Sequence, residues 1–261
     1  MIFAAAAAFS LPTAALAASP FDGTWKTDPA SVTWAGKPTV YEATDKTFNC
    51  LSCDVPTKLP LGGTVQPYAG APGVVDGLKA EKIDARTVRV IGLYKGVVFG
   101  TQTFAVSANG KMMTETVNRT ASAPGLPAIH ETILFVRKSA GAPGSLPQAG
   151  AWNRTRLATT TPALLEATYR VRGSTIEMSA PGGESYRAVF GGPPVPLRNE
   201  PGGITVGVRK MSDHEIIETE WRGGKKIDIA DTTIAPDGKS AVIVDTDPVS
   251  GETSTAKAHK A

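Results

Sequence analysis

Beyond about residue 20, apolar and polar residues alternate in short runs and do not recur at helical spacing. Ile176-Glu177-Met178 is one such run; Ile204, Val206 and Val208, separated by Thr205 and Gly207, form another. A period of two buries one set of side chains and leaves the other in water, as in half-buried antiparallel strands. Turn signals punctuate the runs. Asn109-Gly110 and Asp237-Gly238 predict type I′ hairpins, with positive φ at both central residues. Gly96, Gly173-Ser174 and Gly223-Gly224 mark further turns. In the second half the pattern predicts about eight strands, running from Ala151–Arg154 to Ser240–Asp245, with Thr253–His259 as a further strand that closes the unit. Short strands in hairpin order predict an all-β fold, a barrel or a sandwich. An up-and-down barrel has the advantage of leaving no free edge.

The chain repeats itself. Ile83–Asn118 aligns without a gap on Met211–Thr246, at an offset of 128. Gly96 meets Gly224, Gly110 meets Gly238, Val88 meets Ile216 and Val106 meets Ile234. Trp25 and Trp152, Glu42-Ala43-Thr44 and Glu166-Ala167-Thr168, and Pro72-Gly73 and Pro201-Gly202 recur at nearly the same spacing. The order and constancy of these matches imply a duplicated unit. Residues 139–149, rich in Gly, Pro, Ser and Ala and without periodicity, read as the linker. The expected organisation is thus one β-barrel lobe over 18–138 and a second over 150–261.

The opening residues differ from the rest. Residues 1–17 form an uncharged apolar run ending in Ala15-Leu16-Ala17, which reads as a cleaved signal peptide and predicts a periplasmic or extracellular protein. The run is short for a membrane span and contains Pro12, and no other segment is long and apolar enough to cross a bilayer. A hydrophobic fraction of 41% with 20% charged residues is that of an ordinary soluble globular chain. The net charge of +3 comes with Lys and Arg interspersed among Asp and Glu, so no nucleic-acid partner is expected.

Each predicted lobe opens on Gly-x-Trp, as Gly23-Thr24-Trp25 and Gly150-Ala151-Trp152. Here the lobes resemble lipocalins, whose first strand carries this motif and whose Trp packs across the closed end of an eight-stranded barrel. Phe21–Lys26 also resembles the opening of a group of uncharacterised exported bacterial lipocalin-like proteins with two tandem β lobes. The resemblance implies an up-and-down barrel in each lobe and a small hydrophobic ligand. It brings no activity, and the later lipocalin Thr-Asp-Tyr motif is absent. By themselves, Trp25 and Trp152 need do no more than plug two small cores.

Candidate chemistry is sparse. Cys50 and Cys53 are the only cysteines, and in an exported protein such a pair predicts a disulfide that pins a turn. Redox activity is one alternative, although the pair lies between β-like runs and not at a helix start, and a free or metal-linked pair is the other. His130, His214 and His259 lie far apart in sequence, with no metal-ligand spacing, and His259 reads as part of a solvated tail. Gly183-Glu184-Ser185-Tyr186 lacks the spacing of a nucleophile elbow, and Asp237-Gly238-Lys239-Ser240 lacks the earlier glycine of a phosphate loop. Glu218 and Glu220 share one face of a strand, expected to be solvated, opposite Ile217, Thr219 and Trp221. Phe99, Phe104, Met113, Trp221 and Ile227 are candidate core residues, and ligand-lining residues are not assigned. No catalytic residue, metal or cofactor is expected. The function that follows is an exported non-enzymatic protein that binds a small hydrophobic ligand. The alternatives are a structural or protein-interaction module of the cell envelope and, behind it, an enzyme of unknown type.

Overall fold

The computed structural model describes residues 18–53, 57–71, 74–121, 126–200 and 202–261. The predicted signal peptide at 1–17 and the repeated dipeptide positions Pro72, Gly73 and Pro201 lie outside the described residues.

The chain is all-β. The first ten strands are β1 (Gly23–Ala35), β2 (Thr39–Ala43), β3 (Thr47–Cys50), β4 (Lys58–Pro60), β5 (Gln66–Ala71), β6 (Val75–Asp84), β7 (Thr87–Tyr94), β8 (Val97–Val106), β9 (Met112–Arg119) and β10 (Ile129–Ala140). The second ten are β11 (Gly150–Thr159), β12 (Glu166–Arg172), β13 (Thr175–Ser179), β14 (Ser185–Val189), β15 (Val195–Pro196), β16 (Ile204–Lys210), β17 (Glu215–Arg222), β18 (Lys225–Ile234), β19 (Ser240–Thr246) and β20 (Thr253–Lys260). They form two antiparallel ten-stranded sheets, each curled into a nearly closed barrel. This architecture is compatible with tandem lipocalin-like lobes. No helix among the described residues is long and apolar enough to cross a membrane.

The two sheets have the same strand order with one exchange. The first barrel runs β4-β3-β2-β11-β10-β9-β8-β7-β6-β5, and the second runs β14-β13-β12-β1-β20-β19-β18-β17-β16-β15. Each barrel therefore takes its Gly-x-Trp strand from the other half of the sequence. β1 lies between β12 and β20, with Gly23 opposite Tyr169 and Trp25 opposite Ala167 and Lys260. β11 lies between β10 and β2, with Trp152 opposite Arg137 and Thr39. The halves 18–138 and 150–261 thus do not each fold into a barrel of their own. Residues 139–149, expected as an inter-lobe linker, instead join two neighbouring strands of one sheet: Ala140 pairs with Gly150, and Gln148 and Ala149 are buried. β20, expected only to close its unit, is a central strand paired on both sides.

The cores repeat with the sequence. Phe48 and Ile176, Ala80 and Val208, Val88 and Ile216, Val106 and Ile234, and Met113 and Ala241 stand 128 residues apart, and all are buried. Closure repeats too. The Gly63 N–H donates to the Ala80 carbonyl at 3.0 Å, and 128 residues later the Gly191 N–H donates to that of Val208 at 2.9 Å. Of the candidate core residues, Phe104 and Met113 are buried, whereas Phe99, Trp221 and Ile227 are half-buried.

The hairpins fall where the turn signals put them, but the turn types differ. At Asn109-Gly110 and Asp237-Gly238 only the glycines have positive φ. The Asn109 and Asp237 side chains accept the N–H groups of Lys111 and Lys239 at 3.0 and 2.8 Å, which holds Asn109 and Asp237 at negative φ. Positive φ at both central residues occurs instead at Lys95-Gly96 and Gly223-Gly224, between the paired residues Tyr94 and Val97, and Arg222 and Lys225. Pro29, which cannot donate to a ladder, sits in a register shift of β1 between Asp28 and Thr33.

Candidate functional site

Both motif tryptophans are buried, and each indole N–H donates to a carbonyl four residues back: Trp25 to Phe21 at 3.0 Å and Trp152 to Gln148 at 2.8 Å. A cation covers each ring. The Arg137 guanidinium lies 4.0 Å from the Trp152 ring centroid, and the Lys260 ammonium 5.0 Å from that of Trp25. Arg137 also donates to the carbonyls of Gly110, Pro147 and Ala149. These contacts hold the connections of one barrel end together.

Elsewhere the buried core of the first barrel gives way to a partly open cavity. A cavity of about 380 Å³ is walled by Tyr41, Phe48, Leu59, Leu78, Val90 and Phe104. The rings of Tyr41, Phe48 and Phe104 lie 5.3 Å apart pairwise, in an aromatic cluster on one wall. Alternation explains the lining: Val88, Phe104 and Glu115 face one another across β7, β8 and β9, as do Val90, Gln102 and Val117 in the next row. A smaller cavity of about 190 Å³ shares Val75, Leu78, Val90 and Gln102 and extends to Gly92 and Gly100. These two glycines are opposite each other in register, and the Val75 side chain packs over Gly92, 3.3 Å from where a Cβ would stand.

Cys50 and Cys53 line the larger cavity, with their sulfurs at bonding distance, 2.03 Å. Cys50 pairs with Tyr41 across β2 and β3. The other half of the chain also contributes. Asp247, Ser250 and Glu252, on the turn between β19 and β20, line the same cavity. Asp247 organises that turn: its side chain accepts the N–H groups of Val249 and Ser250 and the Ser250 hydroxyl. The turn packs backbone to backbone on the crossing from β1 to β2, where a Cβ on Gly36 would stand 2.6 Å from the Gly251 carbonyl oxygen.

Two charged residues set the electrostatics. Arg154 on β11 donates through Nη1 to Glu252 at 2.6 Å, an ion pair across the junction of the two barrels. Glu115 on β9 is buried and lines the larger cavity. Burial pushes this carboxyl up to about 7; Arg154 opposes the shift, and Glu131 and Glu252 add to it. Burial and the neighbouring Glu115 raise the Tyr41 phenol well above its usual value.

The second barrel encloses a group of carboxyls. The expectation of a solvated face for Glu218 and Glu220 is overturned: they share the phase of fully buried Ile216 and point inward. The hydroxyls of Tyr169, at 2.9 Å, and Tyr186 donate to Glu218. Glu220 lies opposite Asp228, and Asp245 accepts the Ser254 hydroxyl at 3.2 Å. Burial raises all four carboxyls, Glu220 and Asp228 to about 7. The cavity beside Trp25 and Tyr169 in this barrel is about 90 Å³.

The remaining candidates stay apart. His130 Nδ1 is 2.6 Å from the Asn118 side-chain oxygen. His214 has a buried Nδ1 without a partner among the described residues. His259 lies in β20, not in a tail. No group of three or more His, Cys, Asp or Glu with metal-holding geometry occurs among the described residues. Ser185 is in β14, bridged through its backbone to Arg198, and Asp237-Gly238-Lys239 is a hairpin turn. The sequence did not single out Tyr41, Glu115 or Arg154. One signal was present: Glu115 keeps the phase of buried Met113. No family model and no curated protein matches this chain.

Proposed function

We propose that this is an exported binding protein that takes up one small amphipathic molecule inside the first barrel. The observation that carries the reading is the cavity of about 380 Å³ with an aromatic and aliphatic wall, a buried polar group and a mouth at the barrel junction. Its size and makeup are those of small-molecule sites, which favour domain junctions and the mouths of β-barrels. The Cys50–Cys53 pair and the apolar opening of the sequence support export.

Native mass spectrometry of protein purified from its own host tests the reading, because a retained small molecule adds a discrete mass. A Leu78→Trp variant, which fills the cavity, should lose that mass and the binding of a hydrophobic fluorescent probe. Undiminished probe binding in a folded Leu78→Trp protein refutes the assignment.

A further inference from the structure

The charge around the first-barrel cavity is unbalanced. Among the residues lining it, Lys37 and Arg154 are cationic, while Glu115, Asp247 and Glu252 carry carboxyls. Arg154 is engaged by Glu252, and the Asp247 carboxylate is held within its own turn. Two groups are left over: Lys37, which is exposed, and Glu115, the most buried of these carboxyls, which has Arg154 as its nearest opposite charge and shares its space with Tyr41 and Phe104. A buried carboxylate is costly, and a cation with donor hydrogens offsets that cost best.

We propose that the cavity takes a lipophilic amine, with one cationic nitrogen against the Glu115 carboxylate and a hydrocarbon or aromatic body against Tyr41, Phe48 and Phe104. The inference rests on the proposed binding role and names its ligand class. An anionic ligand would meet three carboxyls, Glu115, Glu252 and Asp247, against two cations, exposed Lys37 and Arg154, whose Nη1 already donates to Glu252 while its buried Nε has no partner among the described residues. A neutral ligand would leave Glu115 with Arg154 alone against the cost of its burial. Aromatic faces, by contrast, attract cations. The smaller cavity beyond Val90 and Gln102 gives the apolar body room to extend.

The test is calorimetric titration of the full chain with n-octylamine, n-octanol and octanoate, in wild type and Glu115→Gln. At about pH 8, octylamine should bind at least ~10-fold more tightly than octanol, as a buried ion pair requires, with octanoate weakest. The preference should shrink at about pH 5.5, where Glu115 takes up a proton. The groups that face it there are Arg154 on β11, Glu131 on β10, Tyr41 on β2 and Glu252 on the β19–β20 turn. Glu115→Gln should abolish the preference, and an unchanged near-UV circular dichroism spectrum shows that the barrel is intact. Equal binding of octylamine and octanol by wild type, or a preference that survives Glu115→Gln, overturns the amine assignment and leaves the binding role standing. If none of the three binds, both fall.

Discussion

Arg137 and Trp152 sit opposite each other in register on β10 and β11, with the guanidinium stacked 4.0 Å from the indole centroid. The same guanidinium donates to three carbonyls on two connections. Lysine cannot reproduce that planar fork. Arg137→Lys should therefore cost nearly as much as Arg137→Ala, about 2 kcal/mol each after allowing for partial exposure. Chemical denaturation of the two variants measures this, and full retention of stability by Arg137→Lys contradicts it.

The two motif glycines should not be equally sensitive. Both have positive φ, +120° at Gly150 and +124° at Gly23, so any side chain is strained. A Cβ on Gly150 would also lie 2.2 Å from the Ser139 carbonyl oxygen, whereas on Gly23 the nearest contact is the flexible Lys260 side chain at 3.5 Å. Gly150→Ala is expected to cost at least ~2 kcal/mol more than Gly23→Ala, as read from the difference in thermal midpoint.

Glu220 and Asp228, in register across β17 and β18, give stability an unusual dependence on pH. Both have folded-state values near 7, well above those of free carboxyls, chiefly because of burial. Between about pH 4 and 7 the folded state holds more protons than the unfolded state. Stability from these groups is therefore present at the acid side of that window and is lost as pH rises through 7. Glu218 and Asp245 act in the same direction. Glu220→Gln or Asp228→Asn should raise the melting temperature at about pH 8 and flatten its decline between about pH 4 and 7, a gain of about 1 kcal/mol each after solvent screening. A melting temperature that rises steadily from pH 5 to pH 8 in wild type would contradict the prediction.

The strand exchange makes the halves interdependent. Cleaving the chain between Ala142 and Ser145 leaves β1 paired with β12 and β20, and β11 paired with β10 and β2. The nicked protein should elute as one species in size-exclusion chromatography and separate only in denaturant. A fragment of residues 150–261 alone lacks β1 and would expose two unpaired strand edges, so it should aggregate until the other half is added. A soluble, folded 150–261 fragment would show that exchange is dispensable.

Local chemistry wrote much of this fold into the sequence. Alternation in runs such as Ile204–Val208 determined which face is buried, and the offset of 128 determined that the core is built twice, because strand phase and turn glycines act over a few residues. The Cys50–Cys53 pair and the two Gly-x-Trp openings were legible for the same reason. What alternation cannot tell is which side of a lone amphipathic strand turns inward. Glu218 was assigned to water although its phase is that of Ile216, and Glu115 drew no attention on the strand of Met113. Only closure of the barrels decided that these carboxyls are enclosed, and so raised in pKa. Strand partners also lay beyond the sequence. β1 and β11 carry the same motif and satisfy the same neighbours, so local pattern cannot distinguish β1 in its own half from β1 in the other. Pairing energy summed over both barrels decides that. The exchange is also what places Arg154 from β11 beside Glu252 at the mouth of the cavity.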